Sequence, residues 1–159
     1  MILHPTVPTG VMWAAYYKGT RPGIPGLYNR LGRYLDRGPY SHMELIFSDG
    51  LSASSSFMDD GVRFKDIGYS SVGCWDFLPL PDADERAARQ WFEDHEGLPY
   101  DLWGNVRFGT NFARDSVDAW FCSEAVMAAL GFAEAYRYGP CGSATVLKHF
   151  YKTEMIIVP

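Results

Sequence analysis

The Asp49-Gly50 pair constrains the fold more than any other feature, because it separates two segments of strand character. An Asp-Gly pair readily adopts the positive φ angles of a tight, two-residue hairpin turn. Residues 41–48 are therefore predicted to form one strand, and residues 51–57 are predicted to return beside it as an antiparallel partner. We expect the chain to build an antiparallel sheet around this hairpin.

Further strand and helix patterns flank the hairpin on both sides. Strands are predicted at residues 11–17, 62–65 and 73–78, the last of them ended by Pro79 and Pro81, and a final strand is predicted at 153–158. Helices are predicted at 27–36, from Asp82 or Asp84 to about residue 96, at 120–130 and from Ser143 to about residue 151, with a loop at 138–142. Early strands and late helices favour one α+β domain over 1–159, an antiparallel sheet with helices packed against it.

Composition excludes several classes of protein. The chain is 47% hydrophobic and 21% charged, which is typical of a globular domain. Its formal net charge is −5 and it has no Lys/Arg block, so nucleic acid is not an expected partner. Its three cysteines lack C-x-x-C spacing, which argues against a disulfide framework and a zinc ribbon. With no transmembrane run and no signal-peptide pattern, a cytoplasmic location is expected.

Cys122 is the candidate nucleophile. It lies in the predicted helix near an expected N-cap, Asp118, where free N–H groups and the positive end of the helix dipole favour a thiolate over a thiol. A different interpretation is that Cys122, Val126 and Ala129 share the apolar face of the helix, which would make this an inert core cysteine.

His42 is the candidate base among the four histidines. It enters the first strand of the hairpin, where a side chain can face the rim of the sheet. His4 is expected to be exposed, His95 to be solvated at a helix end, and His149 to be a surface or packing residue. A purely structural role for His42 is the alternative.

Glu44 is predicted to point to the same face as His42, because side chains two residues apart on a strand do so. A carboxylate on a buried face requires a partner. It could orient or charge-pair with His42, it could pair with an arginine, or the two side chains could be metal ligands. No third ligand is apparent, so neither a metal nor a cofactor is expected.

The order of these motifs resembles the circularly permuted branch of the NlpC-type papain-like cysteine hydrolases, which includes YiiX and YaeF proteins and lecithin retinol acyltransferase. The resemblance covers residues from about 11 to 150. The motifs that carry it are Ser41-His42-Met43-Glu44-Leu45, the Gly50 turn, Gly97-Leu98-Pro99-Tyr100-Asp101, Phe121-Cys122-Ser123-Glu124 and Gly139-Pro140.

This resemblance implies a papain-like fold with Cys122 as nucleophile and His42 as base. It also implies a third polar group that steadies the imidazole; Glu44 is the first choice, and Ser54 on the next strand is the alternative. The implied activity is hydrolysis of an amide bond, as in small or cell-wall-type peptides, so the expected partner is a peptide or acyl substrate. An acyltransferase or thioesterase acting on lipid esters, and a non-catalytic protein that retains the fold, are the alternatives.

Overall fold

The structure, a computed structural model, describes residues 10–20, 23–69, 73–101 and 119–159. In chain order its elements are β1 (Met12–Tyr17), α1 (Ile24–Leu35), β2 (His42–Ile46), β3 (Ser52–Ser56), β4 (Gly61–Lys65), β5 (Trp75–Leu80), α2 (Glu85–His95), α3 (Cys122–Ala129) and α4 (Pro140–Tyr151). Short 3₁₀ turns at Phe57–Asp59 and Ala135–Arg137 follow β3 and α3. The described residues confirm the predicted α+β class. No helix among them is long and apolar enough to cross a membrane.

The strands form one sheet in the order β4-β3-β2-β1-β5, and all neighbouring strands are antiparallel. The predicted hairpin joins β2 to β3. Its loop holds three residues instead of two, because the Phe47 N–H donates to the Leu51 carbonyl at 2.9 Å. Gly50 has φ +89°, the left-handed conformation that a three-residue hairpin requires.

The two faces of the sheet are covered differently. One face packs against the helices, and the cluster between them combines Tyr16, Met43 and Leu45 of the sheet with Phe92, Met127 and Leu147 of the helices. The opposite face carries a second, aromatic cluster of Trp13, Tyr17, Ile46, Tyr69, Trp75 and Phe77. Antiparallel partners share a face, and His42 pairs with Tyr17 while Glu44 pairs with Ala15. Both candidate residues of β2 therefore belong to the aromatic face.

Strand β5 does not end before Pro79, as the sequence predicted. It runs to Leu80, and Pro79 pairs with Trp13 of β1. Because β5 is an edge strand, a residue without an N–H group can be accommodated there. The predicted last strand at 153–158 is also wrong, since the structure has only an isolated bridge between Phe77 and Ile156 there.

Helix α4 begins earlier than predicted. Residues 140–142 are helical, Gly139 occupies the N-cap position, and Ser143 lies within the first turn and donates to the Pro140 carbonyl at 2.8 Å. Proline is well suited to the first position of a helix, because its fixed φ fits and its missing N–H would have no helical partner.

Helix α2 agrees with prediction. Its N-cap is Asp84, whose side chain accepts from the Ala87 N–H at 3.0 Å. Helix α3 begins at Cys122 with Phe121 in the N-cap position, so Cys122 lies at the very start of the helix. The prediction that Asp118 is the N-cap is therefore wrong, and Asp118 itself lies outside the described residues.

Candidate active site

Cys122 is placed by the start of α3, which packs on β2 and β3. The approach to this helix is fixed by Ser55, whose hydroxyl donates to the Trp120 carbonyl at 2.6 Å. The Phe121 N–H donates more weakly to the Glu124 carboxylate at 3.4 Å. The first N–H groups of a helix have no acceptor within it, so those near the Cys122 sulfur can stabilise a negative charge.

His42 is placed at the beginning of β2, where the Ser41 N–H donates to the Tyr17 carbonyl at 2.9 Å. Pairing between β2 and β3 covers Leu45 with Ala53 and Ile46 with Ser52, and it does not extend to His42. Strand β3 is therefore not paired with β2 at His42, which leaves a gap between the two strands. The start of α3 lies next to this gap, because Ser55 of β3 binds the carbonyl of Trp120.

The structure brings Cys122 and His42 together, with the thiol within hydrogen-bonding reach of the imidazole. The thiol is buried, with 2% of Cys122 exposed, whereas 16% of the His42 side chain is exposed. His42 Nε2 donates to Glu44 Oε1 at 2.6 Å, which leaves Nδ1 to face the sulfur. A thiol, an imidazole and a carboxylate thus lie next to one another in that order.

Two of the roles considered for Glu44 occur together. Besides the bond to His42, its carboxylate accepts from Arg63 through both oxygens, with Nη1 to Oε2 at 2.7 Å and Nη2 to Oε1 at 2.6 Å. Only 1% of the Glu44 side chain is exposed. A buried carboxylate of this kind needs both cationic partners to remain ionised.

The charges of the site shift two pKa values in opposite directions. Burial of the imidazole lowers the pKa of His42, but the negative charges of Glu44 and Cys122, with the hydrogen bonds to both, raise it to about 9. Burial raises the pKa of Glu44, but the hydrogen bonds and charge of Arg63, followed by those of His42, lower it to about 2. At neutral pH the site therefore holds an imidazolium and a carboxylate.

Ser54, the other candidate for the third polar group, is fully buried, and its hydroxyl donates to the Met43 carbonyl at 2.6 Å. This hydroxyl is directed to the backbone of β2. Ser54 also pairs with Arg63 of β4, and it lies level with Glu44 of β2 because Ala53 pairs with Leu45. A small side chain at this position lets the arginine reach across β3 to Glu44.

Arg63 and Asp59 are site residues that sequence reasoning missed. Asp59 accepts from Arg63 Nε at 3.0 Å and from Lys65 Nζ at 2.6 Å. Burial raises the pKa of Asp59, but these two cations lower it to about 2. The alternating pattern of the strand at 62–65 predicts that Arg63 lies on one face of the sheet. That pattern does not predict its partner, Glu44, which lies two strands away.

A cavity of about 170 Å³ lies beside the imidazole on the aromatic face. Its described walls include Tyr17, Trp75 and Tyr100, with His42, Glu44 and Arg63 at the polar part. Phe57 and Met58, 42% and 53% exposed, also line it. Cys122 is not among the described lining residues. The cavity therefore meets the site on the Glu44 side of the imidazole.

The remaining candidates lie away from this cluster. His95 stacks on Trp91 with ring centroids 4.0 Å apart, so it is more packed than predicted. Cys141 lies beside Asp36 and Tyr40; burial and the Asp36 charge raise the pKa of its thiol to about 12, despite a hydrogen bond to Tyr40 that lowers it. Among the described residues, no three His, Cys, Asp or Glu side chains are grouped to hold a metal ion.

Comparison with protein-family models gives no match to this chain. Comparison with curated proteins gives no significant match either.

Proposed function

We propose that this protein is a cysteine hydrolase that cleaves an amide bond, and that its fold is the circularly permuted papain-like type that the sequence motifs resemble. The observation that carries the proposal is the contact between the Cys122 thiol at a helix start and the His42 imidazole. A base within hydrogen-bonding reach is what a cysteine nucleophile requires.

In this proposal the Cys122 proton already lies on His42 before substrate binds, in keeping with the raised pKa of the ring, and the Cys122 thiolate attacks the carbonyl carbon of the substrate. The carbonyl oxygen becomes an oxyanion, which accepts from the Cys122 backbone N–H at the start of α3. His42 then gives its proton to the departing nitrogen as the carbon–nitrogen bond breaks. Water, deprotonated by His42, releases the acyl group and restores the thiolate and the imidazolium.

Glu44 supports this sequence of proton transfers by holding Nε2 of the imidazole, so that Nδ1 faces the sulfur. A ring fixed in this way needs no reorientation between taking and giving the proton. Its charge also favours the imidazolium, which is the form that protonates the leaving nitrogen.

A second candidate, a binding protein that retains the fold without catalysis, is favoured by one observation. Cys122 is only 2% exposed and the described lining of the adjacent cavity does not include it. A nucleophile must reach its substrate, and an inert core cysteine need not.

The test is the pH dependence of Cys122 alkylation by iodoacetamide, read by mass spectrometry in the wild type and in His42→Ala. The hydrolase proposal predicts fast labelling of Cys122 well below the pH at which an ordinary thiol reacts, and loss of that reactivity in the variant. Cys74 and Cys141 are internal controls, and Cys141 should label slowly because its pKa is about 12. If Cys122 resists labelling until the protein unfolds, the hydrolase proposal is wrong and the binding protein is supported.

A further inference from the structure

We infer that Arg63 is a positioning residue of this site, which acts through Glu44 to keep the imidazole of His42 aligned with Cys122. The inference rests on the proposed function and extends it to a residue on β4, two strands away from His42.

The contacts of Arg63 are those of a clamp. Three of its five N–H groups are taken by carboxylates: Nη1 and Nη2 bind the two oxygens of Glu44, and Nε binds Asp59. This two-point grip fixes the plane of the Glu44 carboxylate, which a single point charge would not do. Since Oε1 of Glu44 also binds His42, the orientation of the carboxylate determines that of the ring.

Arg63 is held in turn from its other side. Asp59, on the 3₁₀ turn after β3, binds Nε of Arg63 at 3.0 Å and Lys65 at 2.6 Å. Positive and negative side chains therefore alternate from Lys65 through Asp59, Arg63 and Glu44 to His42. Tyr69 also lies close to Glu44, and its phenol is hydrogen-bonded to Ser52 at 2.7 Å.

Burial distinguishes the inner part of this chain from the outer part. The side chains of Glu44 and Arg63 are 1% and 13% exposed, whereas that of Lys65 is 49% exposed. Exposed ion pairs contribute little, and a buried forked pair is rigid. Arg137 is the matched control, because it is an arginine in an exposed ion pair, with Glu134 at 3.0 Å, and does not belong to this chain of charges.

The clamp and a simple charge effect predict opposite changes at His42. If Arg63 only adds a positive charge nearby, Arg63→Met should raise the pKa of His42, because a repulsive charge is lost while Glu44 stays in place. If Arg63 positions Glu44, the same variant should lower that pKa, because the carboxylate leaves Nε2. Arg63→Lys keeps the charge without the fork and should also lower it.

The experiment measures the titration of His42 by NMR and the alkylation of Cys122 at mildly acidic pH, in wild type, Arg63→Lys, Arg63→Met and Arg137→Met. We expect a lowered His42 pKa and about tenfold slower labelling in both Arg63 variants, with Arg137→Met within about twofold of wild type. Millimolar guanidinium chloride should restore labelling in Arg63→Met, since Arg63 borders the cavity; methylammonium should not.

An unchanged or raised His42 pKa in both Arg63 variants overturns the inference even if wild-type Cys122 is reactive. Conversely, an inert Cys122 in wild type refutes the hydrolase, while a lowered His42 pKa in both variants still supports the clamp. The two failures are therefore distinguishable. Circular dichroism of each variant excludes unfolding as the cause, and Arg63→Lys keeps the test open if Arg63→Met does not fold.

Discussion

Removing the charge of Glu44 should abolish the unusual basicity of His42. The change is Glu44→Gln, which keeps the size of the side chain and removes its negative charge. Among the groups that raise the pKa of His42, Glu44 has the largest effect, and burial acts in the opposite direction. Without this charge we expect the pKa of His42 to fall from about 9 to near or below its ordinary value of 6.5.

The size of this effect follows from the structure. A rise in pKa from 6.5 to about 9 corresponds to about 3 kcal/mol of preference for the imidazolium. In wild type the ring should therefore be almost fully protonated at pH 7.5, whereas in Glu44→Gln about a tenth or less should be. The variant also leaves Arg63 without its buried partner, which should cost a few kcal/mol of stability, so folding is checked first.

The assay is an NMR titration of the imidazole nitrogens, with the other histidines as references in the same spectra. Glu44→Asp is the matched control, because it keeps the charge on a shorter side chain and should retain part of the rise. A His42 pKa that remains near 9 in Glu44→Gln would refute the electrostatic account of the site.

Three further predictions concern stability. Because the pKa of His42 is raised, the imidazolium stabilises the fold fully below pH 6.5, and this stabilisation is lost as the pH rises through about 9. Because the pKa of Glu44 is lowered, its carboxylate stabilises the fold above pH 4.5, and this stabilisation is lost as the pH falls through about 2. Urea unfolding at a series of pH values should show the free energy of unfolding declining at both extremes. Ser55→Ala removes the 2.6 Å donor of the Trp120 carbonyl, which keeps the Asp101 N–H at 3.0 Å, and should cost about 1 kcal/mol, measured by urea unfolding, with slower Cys122 labelling. Asp84→Ala removes the N-cap of α2 and should cost about 1 kcal/mol in the same assay; unlike Ser55→Ala, it should leave Cys122 labelling unchanged.

Much of the fold could be predicted because its signals are local. The hairpin, the alternation of β4 and the Asp84 cap each depend on residues within a few positions of one another. The errors arose where a distant element overrides a local preference. Pro79 is tolerated because β5 lies at the edge of the sheet, and that position depends on strand order.

The candidate site was predictable in part for the same reason. That His42 and Glu44 share a face follows from the two-residue period of a strand, and their 2.6 Å hydrogen bond agrees with it. The link to Arg63 depends on the registers of β2 with β3 and of β3 with β4 taken together. No pattern within β4 encodes those registers. The sequence could therefore suggest that Glu44 pairs with an arginine, but not that this arginine is Arg63.

The composition of β3 has a consequence for how the molecule assembles. This strand is almost entirely serine, and every residue of it is buried. It brings little apolar surface to drive its own docking, and its hydroxyls find their partners on Tyr69, Met43 and Trp120 only when three other segments are already in place. Docking of β3 should thus come late in folding and be cooperative. Glu44 and Arg63 lie on the strands on either side of β3, so the charged cluster forms only when β3 docks. The reactivity of Cys122 would therefore distinguish the fully folded protein from a collapsed, partly folded one.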